Sequence, residues 1–155
     1  MFWGTSTNKV DTKGRVSVPA GFRQELDKEE FKGLFCFPSL ACPAIEAAGP
    51  KYINGLLEII RQRNPFDELR LAYEESIIGD AMQLAFDSEG RITIIAGIFS
   101  KHADIDDYIT FVGTGDRIMM WNPVAYENHH LDQRRLAVDK RALLWDARGP
   151  AQPKT

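Results

Sequence analysis

Residues 10–23 read VDTKGRVSVPAGFR, and 76 positions further on residues 86–99 read FDSEGRITIIAGIF. Five of the fourteen positions are identical (Asp, Gly, Arg, Ala and Gly), and most of the others exchange like for like. An internal repeat constrains architecture before any single element does. In the first copy, residues 8–10 read as a short extended run, Asp11-Thr12-Lys13-Gly14 has turn chemistry, and Arg15-Val16-Ser17-Val18 alternates polar with apolar. Asp at the head of such a turn can accept a hydrogen bond from the backbone two residues on, and Gly supplies the left-handed conformation that releases the second strand. The expected product is a β-hairpin whose period of two puts Val16 and Val18 on one face and Arg15 and Ser17 on the other. Pro19 stops the strand and suits the first turn of a short helix to about Leu26, with Phe22 and Leu26 stacked four residues apart.

The second copy repeats the plan. Residues 83–86 enter, Asp87-Ser88-Glu89-Gly90 turns, residues 91–94 leave with Ile92 and Ile94 inward, and residues 96–103 form the short helix. Each short helix is followed by a β-rich run, residues 34–37 or 109–112, then a turn and a further strand, which in the second copy is 117–121. Pro50 opens a longer helix in the first copy, with Leu56, Leu57, Ile59 and Ile60 as its apolar stripe. Asn122 and Pro123 open another in the second, expected to run to about Leu144. Hairpin, short helix, strand pair and longer helix thus occur twice, in halves 1–76 and 77–143, and 144–155 reads as a polar, Pro-containing tail expected to fray. A lone two-stranded ribbon is marginal in water, so the two hairpins must pack on each other. The expected fold is α+β and β-rich, one barrel built by two pseudo-symmetric halves with peripheral helices.

Composition narrows the function classes. The chain has 155 residues, 44% hydrophobic and 26% charged, enough for one good core and unlike a disordered protein. No apolar run approaches the roughly 20 residues that span a bilayer, and the opening MFWGTSTNKV lacks a basic segment followed by an apolar one, so a cytoplasmic protein without a membrane partner is expected. Cys36 and Cys42 have no second pair and no nearby His, which points to thiols and to no metal. The net charge of −3 argues against a protein that coats nucleic acid over its whole surface. Locally the balance reverses: Lys9, Lys13, Arg15 and Arg23 stand against Asp11 alone, a net of +3 between residues 9 and 23. Phosphate responds to local potential within about 8–10 Å at ordinary salt, so an acidic body can still grip it through a basic loop.

No G-x-S-x-G, P-loop, H-E-x-x-H or post-strand G-x-G-x-x-G pattern is present, so neither an enzyme nor a cofactor nor a small-molecule substrate is indicated. His129 and His130 are adjacent on an expected helix and point about 100° apart, a poor metal pair; His102 reads as packing or surface. The chemistry concentrates in Asp11/Arg15 and Asp87/Arg91. Asp orders each turn, and Arg leaves on the solvent side of its strand, where its planar fork can meet phosphate or guanine. An Asp–Arg pair that merely holds the loop is the simpler reading, and the two are compatible.

The opening MFWG, VDTKGRVSVPAGFR and the second FDSEGRITI together resemble the MraZ family of bacterial transcriptional regulators, within the AbrB-like swapped-hairpin group. The likeness extends to about residue 143. It implies two AbrB/MraZ-like halves forming a double-split, swapped-hairpin β-barrel, a homo-oligomeric ring, and binding of double-stranded DNA at short promoter direct repeats upstream of a division and cell-wall gene cluster, in the cytoplasm at the nucleoid. The family's D-x-x-x-R motif points to Arg15 and Arg91 as DNA contacts with Lys13 beside Arg15; Lys9 and Arg23 complete the basic set, and Asp11, Gly14, Asp87 and Gly90 organise the loops. Glu89 stands where the first copy has Lys13, and Ile95 where it has Pro19, so the first loop is expected to face DNA and the second to hold the barrel. The alternative is an AbrB-like antitoxin-type protein-interaction module.

Overall fold

The structure, a computed structural model, describes residues 1–148 and divides at Pro123 into a main unit and a helical segment, each described by itself. In the main unit β1 (Phe2–Lys9) leads into the first turn and β2 (Arg15–Ser17), followed by α1 (Ala20–Leu26), β3 (Gly33–Pro38), β4 (Ile45–Ala48) and α2 (Pro50–Arg61). After α3 (Glu68–Tyr73) and a π-helical turn (Glu74–Gly79), the plan returns with β5 (Met82–Ala85), β6 (Arg91–Thr93), α4 (Ala96–Ala103), β7 (Tyr108–Gly115) and β8 (Ile118–Trp121). The class is α+β, and every strand pairing among the described residues is antiparallel.

Strand pairing crosses between the copies. The main sheet has the order β1-β7-β8-β4-β3-β5, and β2 pairs with β6 in a separate two-stranded ribbon. The arms of each expected hairpin therefore separate. From the first turn, β1 goes to β7 and β2 to β6; from the second, β5 goes to β3 and β6 to β2. The turn chemistry is as expected, but it specifies only a reversal and not which strand each arm will meet. The pairing across copies sets Val16 directly against Ile92, both almost fully buried, so the three residues of β2 are held by burial as well as by their ladder. The main sheet does not close on itself, so β1 and β5 remain its edges where a barrel was expected.

One core draws on both copies. Val16, Val18, Phe22, Leu26 and Leu34 from the first join Ile92, Phe99, Ile109, Phe111 and Met120 from the second. Burying side chains of this size contributes about 1.5–3 kcal/mol each, which ties the ribbon to the sheet. A smaller cluster forms where Phe37 and Ile77 meet α2, and here the expected stripe shifts: Ile53 and Leu56 pack beside buried Ile60, whereas Ile59 is exposed.

In the C-terminal segment, α5 (Pro123–Asp139) opens at Pro123 as expected but stops short of Leu144, and α6 (Leu143–Arg148) follows a turn. The tail assigned to 144–155 thus begins in a helix, and its residues 149–155 lie outside the described residues. Among the described residues no helix is long and apolar enough to cross a membrane.

Candidate nucleic-acid interface

Each turn is built by its Asp. The Asp11 Oδ1 accepts from the amides of Lys13 (2.9 Å) and Arg15 (2.8 Å), while Oδ2 accepts from Arg15 Nε at 2.7 Å. Asp87 does the same in the second copy, with Glu89 N and Arg91 N both at 2.9 Å and Arg91 Nε at 2.8 Å. Gly14 and Gly90 sit at φ +78° and +75°, where a side chain is strained, and their amides close the turns onto the Asp11 and Asp87 carbonyls. The backbone amide of the Arg four residues on is the main reason each Asp carboxyl lies below its ordinary value, with the guanidinium adding to it. One carboxylate therefore fixes both the turn and the direction of the Arg.

Cross-strand pairing then brings the two loops onto one surface. Arg15 faces Thr93, Val16 faces Ile92 and Ser17 faces Arg91, so the repeat-equivalent residues Val16 and Ile92 meet at the centre of the ribbon. Backbone bonds beyond it are mirrored as well: Ile94 N donates to the Gly14 carbonyl (2.8 Å) and Val18 N to the Gly90 carbonyl (3.3 Å). The backbone thus has a local pseudo-twofold axis. With Val16 and Ile92 inward, Arg15, Ser17, Thr93 and Arg91 share the outer face, the two arginines being diagonal neighbours roughly 7–8 Å apart. The field of Asp11 reaches Arg91 across this gap.

The copies differ in what surrounds the arginines. Among the described residues Asp11 is the sole ion-pair partner of Arg15, which is 32% exposed. Arg91 is 24% exposed and bonds both Asp87 and Glu89, whose Oε2 lies 3.2 Å from Nη1. The first loop carries Asp11, Lys13 and Arg15, a net +1; the second carries Asp87, Glu89 and Arg91, a net −1. Lys13 is exposed at the tip of the first loop and Lys9 at the end of β1. Arg23 is placed differently. It reaches back from α1 to donate to the Val18 carbonyl, and its guanidinium packs on Gly90, where a Cβ would come within 2.6 Å of Nε. Arg23 thus buttresses the second loop, a role that charge counting missed because the direction of a side chain leaving α1 is not written in the spacing.

Other sequence candidates fall outside this surface. Cys36 is buried, which pushes its thiol up to about 12, and Cys42 Sγ donates to Ser39 Oγ at 3.5 Å. His102 Nε2 bonds the Cys42 carbonyl at 3.1 Å, and His130 stacks on Tyr126. No group of three His, Cys, Asp or Glu residues able to hold a metal occurs among the described residues.

A family model described as "MraZ protein, putative antitoxin-like" matches residues 1–35, the stretch that contains the first loop and α1. Curated relatives named Transcriptional regulator MraZ align with nearly the whole chain. The one from Rickettsia bellii is 41% identical over 137 residues, covering 88% of this chain and 91% of its own length. That of Pelagibacter ubique is 40% identical over 147 residues, 94% of each chain. That of Rickettsia typhi is 40% identical over 144 residues, covering 93% of this chain and 96% of its own.

Proposed function

This chain belongs to the MraZ family, and from that premise we propose that it is a non-enzymatic, sequence-specific DNA-binding regulator of transcription that acts in the cytoplasm at the nucleoid. The observation that carries the reading is the β2–β6 ribbon: two D-x-x-G-R loops from distant parts of the chain present Arg15 and Arg91 on one outer face, each guanidinium held by its own Asp. An arginine already held in one rotamer loses less entropy on meeting a phosphate or a guanine edge than a free one would. The exchange of strands between the copies supports the swapped-hairpin, AbrB-like reading of halves 1–76 and 77–143.

On this reading the partner is double-stranded DNA carrying short direct repeats upstream of a division and cell-wall gene cluster. Lys13, Arg15 and Arg91 touch it, Lys9 adds positive field from the end of β1, and Asp11, Gly14, Asp87 and Gly90 shape the loops. One ribbon offers few contacts. A homo-oligomeric ring that repeats it around a rim makes several weak grips act together through effective concentration, and repeats about 10 bp apart keep successive contacts on one face of the duplex.

The test is a mobility shift with the duplex immediately upstream of the protein's own gene, run over a salt series, alongside light scattering. A shift whose affinity falls steeply with salt, in a species larger than a dimer, is the expected result. No shift, a flat salt response or a strict monomer would contradict it. An antitoxin-type interaction module has one observation in its favour, the antitoxin-like wording of the family description; it predicts capture of a protein partner and no salt-sensitive DNA shift.

A further inference from the structure

The ribbon's backbone is pseudo-twofold, yet its charge is not. Equivalent positions carry Lys13 on one loop and Glu89 on the other, and the Glu89 carboxylate sits 3.2 Å from Arg91 Nη1. That nitrogen is one that a phosphate would take. Glu89 is 68% exposed and Arg91 24%, so the carboxylate covers the guanidinium from the solvent side and holds a second negative charge within a Debye length of any arriving phosphate. Arg15 carries no such cover among the described residues. Below the second loop Arg23 fills the space over Gly90, while the repeat-equivalent residue, Phe99, is buried in the core. The asymmetry therefore involves both the solvent side of the second loop and its support.

We propose that Glu89 is a specificity-determining residue that occupies Arg91 in place of a DNA phosphate, so that the two ends of the ribbon grip the duplex unequally, firmly at Asp11–Arg15 and weakly at Asp87–Arg91. This rests on the DNA-binding reading above. A phosphate approaching Arg91 must first displace the Glu89 carboxylate and then tolerate it as a neighbour. An exposed pair of this kind contributes little, and its replacement corresponds to about a two- to fivefold change in affinity. With equal grips at both ends, the pseudo-twofold ribbon would not distinguish the two directions of a duplex. Unequal grips give each ribbon a strong end and a weak end.

The experiment is a double-mutant cycle read by fluorescence anisotropy on the labelled duplex from upstream of the protein's own gene. In the parent chain, Arg91→Ala is expected to weaken binding less than Arg15→Ala. Glu89→Gln is expected to tighten it about two- to fivefold and to steepen the slope of log affinity against log salt by up to about 0.9, the value for one further phosphate. In the Glu89→Gln background, Arg91→Ala should cost more than it does in the parent chain. If Arg15→Ala weakens binding but Glu89→Gln changes neither affinity nor salt slope, the proposal is overturned while the DNA reading stands. If neither arginine matters, both fall. Urea unfolding of Glu89→Gln should match the parent, since the carboxylate is exposed; a gain in stability large enough to account for the tighter binding would also overturn the proposal.

Discussion

Residues 11–15 and 87–91 fold into the same turn, with matching Asp-to-amide bonds, matching Asp–Arg pairs and glycines at nearly the same positive φ, yet one loop carries a net +1 and the other a net −1. The backbone chemistry has been kept where the turn needs it, and the side chains have diverged where the turn is indifferent. Position three of the turn points to solvent in both copies, so Lys13 and Glu89 can differ without any cost to the fold. What differs between two equal turns is thus free to serve a partner, and that is where binding polarity can be sought.

The two turns differ at their glycines in what an added side chain would meet. Ala at either position is strained by the positive φ, at a cost of about 1–2 kcal/mol. At Gly14 an added Cβ meets only ordinary contacts, whereas at Gly90 it drives into the Arg23 guanidinium and threatens its bond to the Val18 carbonyl. Gly90→Ala is therefore expected to destabilise the chain more than Gly14→Ala, by about a further 1 kcal/mol for the lost hydrogen bond, measured by urea denaturation. Equal costs would mean that Arg23 does not brace the second loop.

A smaller effect should treat the loops alike. Both Asp carboxyls have pKa values lowered in the folded state, so each contributes stability that is present above the ordinary value of 3.8 and is lost as pH falls through the lower folded value. The stability gap between the parent and an Asp11→Asn/Asp87→Asn variant should be steady above that value and shrink below it. A gap that does not depend on pH would show that the carboxylates are not what holds the turns.

Local chemistry made much of this surface legible. Asp-x-x-Gly foretells the turns, alternation foretells Val16 and Ile92 inward, and Pro19 foretells α1, because each depends on neighbours within a few residues. The exchange of strands was not legible in local chemistry, since β2 and β6 are three residues each and pair across 76 positions; only the resemblance to the swapped-hairpin group implied it. Helix α3 was missed although its signal is present: Asp67 Oδ1 caps it by accepting from Leu69 N at 2.9 Å, directly before a run of helix-forming residues. Of the stripe expected on α2, Leu56 and Ile60 pack while Ile59 is exposed and Ile53 joins, because four clustered apolar residues fit more than one helical face and only the packing of Phe37 and Ile77 selects among them. Arg23 counted as part of a basic segment, yet it is spent on the neighbouring loop.

A contact between Arg15 on the ribbon and DNA can be read from the affinity of Arg15→Ala for the upstream duplex beside that of Arg61→Ala, an exposed arginine on α2. Arg15→Ala should bind about tenfold or more weakly, as expected for loss of a charge-assisted contact worth about 1.5–3 kcal/mol, with oligomer size unchanged and Arg61→Ala close to the parent. Equal affinities for the two variants would remove Arg15 from the interface.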